Sequence, residues 1–252
     1  MVAKIDRTGE EKTNNFGSVM IITRYKNSRS MDVYFPEYNW TKCNSNYKEF
    51  NTGNIKCPYE PRLFNTGYIG EGVYSTLNSK KAYNKWSNML RRCYDKKFQQ
   101  KEPSYIGCTV CNEWHNFQTF TMWFEKNYYE IDNAKNMALD KDILVKNNKI
   151  YSPDTCVFVP QNINSLFTNG KRNRGELPLG VRILPSGNYQ AYCSNGYNKW
   201  TTIGTYHTQE EAFQSYKQYK ESVIRKIANE YIGLIPQKLY NAMCKYEIEY
   251  DD

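Results

Sequence analysis

Residues 138–164, ALDKDILVKNNKIYSPDTCVFVPQNIN, decide how the middle of this chain is read. Two acids stand one residue apart, Asp140 and Asp142, in a run of strand character, LDKDI. A polar stretch that can turn follows, NNKIYSPD, then a second strand-like run, TCVFVP, and a helix start, QNINSLF. That order brings an oxygen donor from each end of the stretch, Asp140 and Asn164, toward one cavity. The segment contains no histidine. Asp142 serves equally well as a turn or capping carboxylate, so a metal-holding hairpin and a plain surface hairpin both fit the residues.

Outward from this stretch, the bounds are those of a folded, basic chain. With 252 residues it is long enough for one sizeable core or for two or three small modules. Apolar residues make up 40% and aromatics 15%, with 23 Tyr, which excludes a disordered or membrane-embedded chain. No run reaches the roughly 18 apolar residues of a membrane span. The first residues, MVAKIDRTGEEK, lack the apolar core of a signal peptide, so a cytoplasmic location is expected. Net charge is +8, with Tyr and Asn interleaved among the Lys and Arg. Such a surface suits phosphates, counterion release and stacking on bases, although a modest positive charge also serves solubility.

Eight cysteines in a cytoplasmic chain argue against a disulfide scaffold. Cys108 and Cys111 form a Cys-x-x-Cys, with Cys93 and Cys156 outside it. A tetrahedral zinc site needs four soft ligands, usually supplied as close pairs, and only one close pair is present. Free thiols packed as small apolar side chains are the alternative.

Residues 16–35 read as two strands around a Lys-Asn-Ser-Arg-Ser turn, and residues 47–72 as short strands and turns. A small β-rich module therefore fits residues 1–70. In 81–94, Ala82, Trp86, Met89, Leu90 and Cys93 recur at helical spacing, with Lys85, Arg91 and Arg92 elsewhere on the cylinder. A second amphipathic helix follows, using Trp114, Phe117, Phe120 and Phe124. Residues 165–176, SLFTNGKRNRGE, lead into a Gly- and Arg-rich linker. Beyond it come three short strands with Pro-Ser-Gly-Asn and Ser-Asn-Gly-Tyr turns, then a helix capped by Thr208. Ala212, Phe213, Tyr216, Tyr219, Val223 and Ile227 give that helix an apolar face for the sheet, and YEIEYDD reads as an acidic tail. The fold class expected is α+β. A β module spans 1–70, a ββα segment with flanking helices 71–170, and a three-stranded antiparallel sheet on one helix 176–240.

Several segments together carry a resemblance. YNKWSNMLRRCYDKKF, YIGCTVCNEWHNFQTF, LDKDI and NKIYSPDTCVFVPQNIN, in that order, make residues 66–168 similar to phage-borne HNH-type (His-Me finger) endonuclease-like proteins. The resemblance implies a hairpin and helix holding one divalent metal, Mg2+ or Mn2+. Asp140 matches the first metal ligand, Asn164 the helix ligand with Asn162 close by, and Asn147 and Asn148 the turn where the family often has an Asn. Lys141 sits where the family has its general-base His. Lysine is a poor base unless its pKa is strongly depressed, and is better suited to gripping a phosphate. Tyr151 or His115 is the candidate replacement. Cys93, Cys111 and Cys156 fall where many such proteins carry cysteines. Cys108 completes a set of four, which implies a structural zinc.

Residues 179–229 resemble the APETALA-type (ethylene-response-factor) DNA-binding domain through GVR, an aromatic-x-Ala step, IGTY and TQEEAFQSY. That family lays its sheet in the major groove. Arg182 matches a base-contacting arginine. Tyr189 stands at a tryptophan position, while Ser194 and Thr202 stand where arginine and tryptophan are usual, so the family's target sequence does not transfer. Lys199 and Trp200 suit backbone or sugar contacts, and the linker cations Lys171, Arg172 and Arg174 suit phosphates. The expected partner is double-stranded DNA, in the cytoplasm of an infected or lysogenic bacterial host, with no membrane role. Two readings stay open. One is a metal-dependent endonuclease whose site has lost its base. The other is a non-catalytic phage protein using the same scaffold, either as a DNA-binding regulator or as an inhibitor that binds a host defence nuclease.

Overall fold

The structure is a computed structural model that describes residues 5–132, 136–167, 177–197 and 199–250. The chain divides into two compact units, Met1–Lys126 and Asn127–Asp252. The division falls inside the 71–170 segment.

The first unit opens with a four-stranded antiparallel meander: β1 (Glu11–Thr13), β2 (Val19–Asn27), β3 (Ser30–Phe35) and β4 (Trp40–Ser45). Alternation decides its core: Met20 and Ile22 on β2 and Met31, Val33 and Phe35 on β3 are buried on one face. Phe50, Ile55 and Cys57 close over them. Phe50 belongs to a short helix, α1 (Tyr47–Asn51), where short strands are expected from sequence. The reason is local: the Asn46 side chain accepts from the Glu49 amide at 2.9 Å and starts a helical turn.

Helices follow: α2 (Lys80–Tyr94), α3 (Lys96–Lys101) and α4 (Phe117–Asn127), with a two-residue extended piece, β5 (Thr109–Val110). The expected stripe Ala82, Trp86, Met89, Leu90 and Cys93 is the buried face of α2. Trp86 donates its indole N–H to the Trp114 carbonyl at 2.7 Å. Gly67 lies so close to this helix that a Cβ would stand 2.4 Å from Leu90, which is why a residue without a side chain occupies it.

In the second unit, β6 (Met137–Asp140) pairs antiparallel with β8 (Val157–Pro160), placing Asp140 opposite Val157. The connection contains β7 (Ile150–Tyr151), and the one-turn helix α5 (Gln161–Asn164) follows β8 directly. The C-terminal sheet has the order β11 (Trp200–Tyr206), β10 (Tyr189–Ser194), β9 (Val181–Ile183), all antiparallel. It packs on α6 (Gln209–Glu230), whose N-terminus carries the full Thr208/Glu211 capping box. A last helix is α7 (Gln237–Cys244).

Two further sequence expectations give way to the structure. The apolar face of α6 does not serve the sheet alone. Its first half, through Ala212, Phe213 and Tyr216, packs under β9 and β10. Its second half, through Val223, Ile224 and Ile227, packs on Ile143, Val157, Val159 and Ile163 of the hairpin segment. The acidic end is also no free tail. In YEIEY the apolar residues alternate, so Tyr246, Ile248 and Tyr250 turn inward while Glu247 and Glu249 stay outside. Ile248 is 2% exposed, and its amide donates to Glu221 at 3.1 Å.

Candidate functional site

The hairpin of β6 and β8 carries the residues suited to a metal. Asp140 ends β6, and its Oδ1 accepts from the backbone amides of Asp142 at 2.9 Å and Ile143 at 2.8 Å. This is the side-chain turn expected of an aspartate leaving a strand. Burial first, and then the neighbouring Asp142 charge, push the Asp140 carboxyl up to about 6. Lys141 is only 6% exposed, and its ammonium donates to Asp142 Oδ2 at 2.7 Å with the Tyr151 ring 5.9 Å away. Asn148 donates from its one side-chain nitrogen to the carbonyls of Lys141 and Ile150, each at 2.7 Å, and so pins the connection shut. Its neighbour Asn147 takes the left-handed conformation, φ 63°, that the turn needs.

Other expected members of this site have separate duties. Asn162 donates to the Tyr231 hydroxyl at 2.7 Å, while Asn164 ends α5 half-buried. Tyr151 is buried, at 2% exposure. His115 belongs to the first unit, where its ring stands edge-on to Tyr94 and its Nε2 lies 3.3 Å from the Tyr94 hydroxyl. Burial lowers its pKa.

Asp140 and Asn164 are hard oxygen donors of the kind magnesium or manganese takes. One oxygen of each hairpin carboxylate has a partner in the fold, Asp140 Oδ1 in the turn and Asp142 Oδ2 in Lys141. A buried ammonium 2.7 Å from Asp142 repels a second cation.

The cysteines are divided between the units: Cys93, Cys108 and Cys111 belong to the first, Cys156 to the second. All but Cys111 are buried. Burial pushes the Cys111 thiol up to about 11. Among the described residues no group of three or more His, Cys, Asp or Glu is arranged to hold a metal ion.

The second candidate is the outer face of the C-terminal sheet. Alternation sends Ala191 and Cys193 inward to α6 and leaves Gln190 and Tyr192 outside. Gln190 is directly opposite Arg182 on β9, and its Oε1 accepts from both Arg182 Nε, at 2.9 Å, and the terminal nitrogen, at 2.5 Å. The guanidinium lies over the Tyr192 ring at 5.2 Å, and Tyr192 in turn pairs with Trp200 at 5.6 Å. Trp200 is 67% exposed, and Lys199 is exposed beside it. None of the three strands contains an acid. Tyr189 does not join this face, because it lies in phase with Ala191 and Cys193 and packs against the core under the sheet. Lys171, Arg172 and Arg174 lie outside the described residues.

Sequence reasoning finds Arg182 and Trp200 but misses Gln190 and Tyr192. Strand alternation is the signal that could have found them, since both flank the inward Ala191. No protein-family model, curated protein or solved structure matches the chain. The chemistry of the face therefore follows from its own residues. It presents a flat, immobilised guanidinium fork with two aromatic rings and threonine hydroxyls around it. Such a surface hydrogen-bonds an acceptor pair and stacks or slides along apolar edges.

Proposed function

We propose that the chain binds double-stranded DNA through the outer face of β9, β10 and β11. The observation that carries this reading is the Arg182 fork, held flat by the neutral Gln190 within an acid-free sheet. A neutral partner aims the guanidinium without cancelling its charge. A bidentate arginine is the commonest reader of guanine's two major-groove acceptors, and a β-sheet can enter that groove. Lys199 and Trp200 then suit phosphate and sugar, fixing register rather than sequence. On this reading the hairpin at 137–164 is a scaffold of HNH-like type. Its lysine in the base position and its engaged carboxylates make it a DNA-binding regulator's support rather than a hydrolytic centre.

One experiment separates the readings. Purified protein is incubated with supercoiled plasmid and with short duplexes, with and without magnesium or manganese, and the same samples are run as gel shifts. A shift without nicking, with preference among duplexes relaxed by Arg182→Ala, is the expected result. Metal-dependent nicking abolished by Asp140→Ala selects the second reading, an impaired endonuclease. The strand–turn–strand–helix order favours that alternative. Lys141→His should then raise the rate. Neither shift nor nicking points to a protein target such as a host defence nuclease. Elemental analysis of the same chelator-free preparation tests the structural zinc implied by the cysteines.

A further inference from the structure

We propose that the α2–α3 segment of the first unit is a second DNA-contacting surface, one that grips the phosphate backbone of duplex DNA without reading sequence. The charge distribution leads to it. Residues 80–101 contain eight Lys and Arg against one Asp, a net of +7 in a chain whose total is +8. The basicity of the whole protein is thus concentrated in 22 residues, and the remainder is close to neutral.

The geometry keeps these charges at the surface. The apolar stripe of α2 is buried, which turns the opposite side outward. Lys80, Lys81, Arg91, Lys96, Lys97 and Lys101 are all exposed. The single acid is already in use: Asp95 caps α3 by accepting from the Lys97 amide at 2.9 Å and the Phe98 amide at 3.2 Å. It also lies 3.6 Å from Arg91. Arg91 and Arg92 rest over the rings of Phe98 and Tyr105, at 4.8 and 5.3 Å, which restricts two long side chains before any ligand arrives.

Helix-dipole complementarity accounts for Arg91 and Arg92 in the last turn of α2, but not for the lysines at its N-terminus, where positive charge is unfavourable. Like charges also crowd one another: burial first, then Arg92 and Lys81, lower the Lys85 pKa. A cluster that repels itself is stabilised by a polyanion, and duplex DNA is the regular one.

The inference rests on the duplex-binding reading, and the test keeps the two apart. Full-length protein binds a fluorescent 30-base-pair duplex over a series of salt concentrations. The surface variant is K80Q/K96Q/K97Q. A control with equal charge loss, K26Q/K42Q/K48Q, changes lysines of the N-terminal sheet and of α1. Arg182→Ala is run alongside. The slope of log affinity against log salt should shrink by roughly 0.9 for each phosphate no longer neutralised, and affinity at 0.1 M salt should drop on the order of tenfold, in the surface variant alone. Its preference among duplexes should be unchanged, whereas Arg182→Ala should lose preference. Equal losses in surface variant and control mean that only net charge matters, and overturn the assignment. No loss in either overturns it as well, and leaves the Arg182 result to judge the sheet. Wild-type protein without affinity for any duplex removes both.

Discussion

The two antiparallel sheets place an exposed arginine in the same situation and give it different partners. On β2, Arg24 stands opposite Asp32 of β3 and binds it with two nitrogens, at 2.6 and 3.0 Å. On β9, Arg182 stands opposite Gln190 of β10 and binds one amide oxygen with two nitrogens. Both forks are held by the residue directly across the strand. In the first, the carboxylate cancels the charge, and Asp32 also takes the Asn44 amide, so the face is chemically closed. In the second, the charge stays available to a partner. On the proposed reading, a change from acid to amide separates a self-satisfied sheet from one that leaves its charge to a partner. The sheets also differ beneath. The N-terminal sheet closes its core with residues from 20 to 57, while the C-terminal sheet shares α6 with the hairpin segment.

The largest expected effect breaks the second contrast. Ile224 is 1% exposed on the half of α6 that packs against the hairpin. Ile224→Ala should cost about 2–5 kcal/mol, the range for emptying such a site. Because α6 continues under the sheet, hydrogen exchange should show reduced protection in β8 and in β10 together, with β2 and β3 unchanged. A reduction confined to β8 would mean the C-terminal sheet is an independent module after all.

Next in size is the conversion of one face into the other. Gln190→Glu gives Arg182 the partner that Arg24 has, and should lower affinity for the preferred duplex by about 1–3 kcal/mol, the range for a bidentate base reader. Titration calorimetry against the preferred and a scrambled duplex reads it, and an unchanged difference between them refutes the Arg182 role. The reverse change, Asp32→Asn, should lower the midpoint of a chemical melt only slightly, because it weakens an exposed charge-assisted pair. It should add no preference among duplexes, because β2 and β3 carry no exposed tryptophan beside the fork.

How much of this is legible in the sequence depends on whether a feature is written in one segment or two. The α2 stripe, the C-terminal turns and the Thr208 cap are local patterns and can be read directly. The face of the Arg182 sheet is half legible: Arg182 and Trp200 stand out by type, whereas Gln190 matters only through its cross-strand register. Helix α1 is hidden because five residues among turn formers carry no periodicity, only the Asn46 cap. The double duty of α6 is unreadable, since Phe213 and Ile227 lie on one stripe and a stripe does not say what it packs against. At the hairpin, Lys141 is visible as a lysine between two aspartates. Its bond to Asp142 and the closure of the turn by Asp140 are properties of the folded connection.

The smallest expected effect concerns what lies under each sheet. Beside the N-terminal core the buried charge is Glu60, 3% exposed and paired with Arg62 at 3.1 Å, while α6 carries Lys220, 7% exposed, near the buried Cys193. Burial lowers the Lys220 pKa below its usual 10.5, and the Cys193 charge opposes that shift only in part. Between the lowered folded value and 10.5 the unfolded chain binds the extra proton, so stability from this group rises with pH across that window. Below the window both states are protonated and the cost of the buried charge is fully present. Lys220→Met keeps most of the length of the side chain and removes the charge, and should stabilise the protein on the order of 1 kcal/mol at about pH 7. The gain should shrink as pH climbs toward 10.5, where wild type and variant converge. Urea melts of both proteins at about pH 7, 8.5 and 10 measure the difference directly, with other titrating groups common to the pair. A gain that stays constant with pH would mean Lys220 reaches water in solution, and the contrast with the paired Glu60 would lapse.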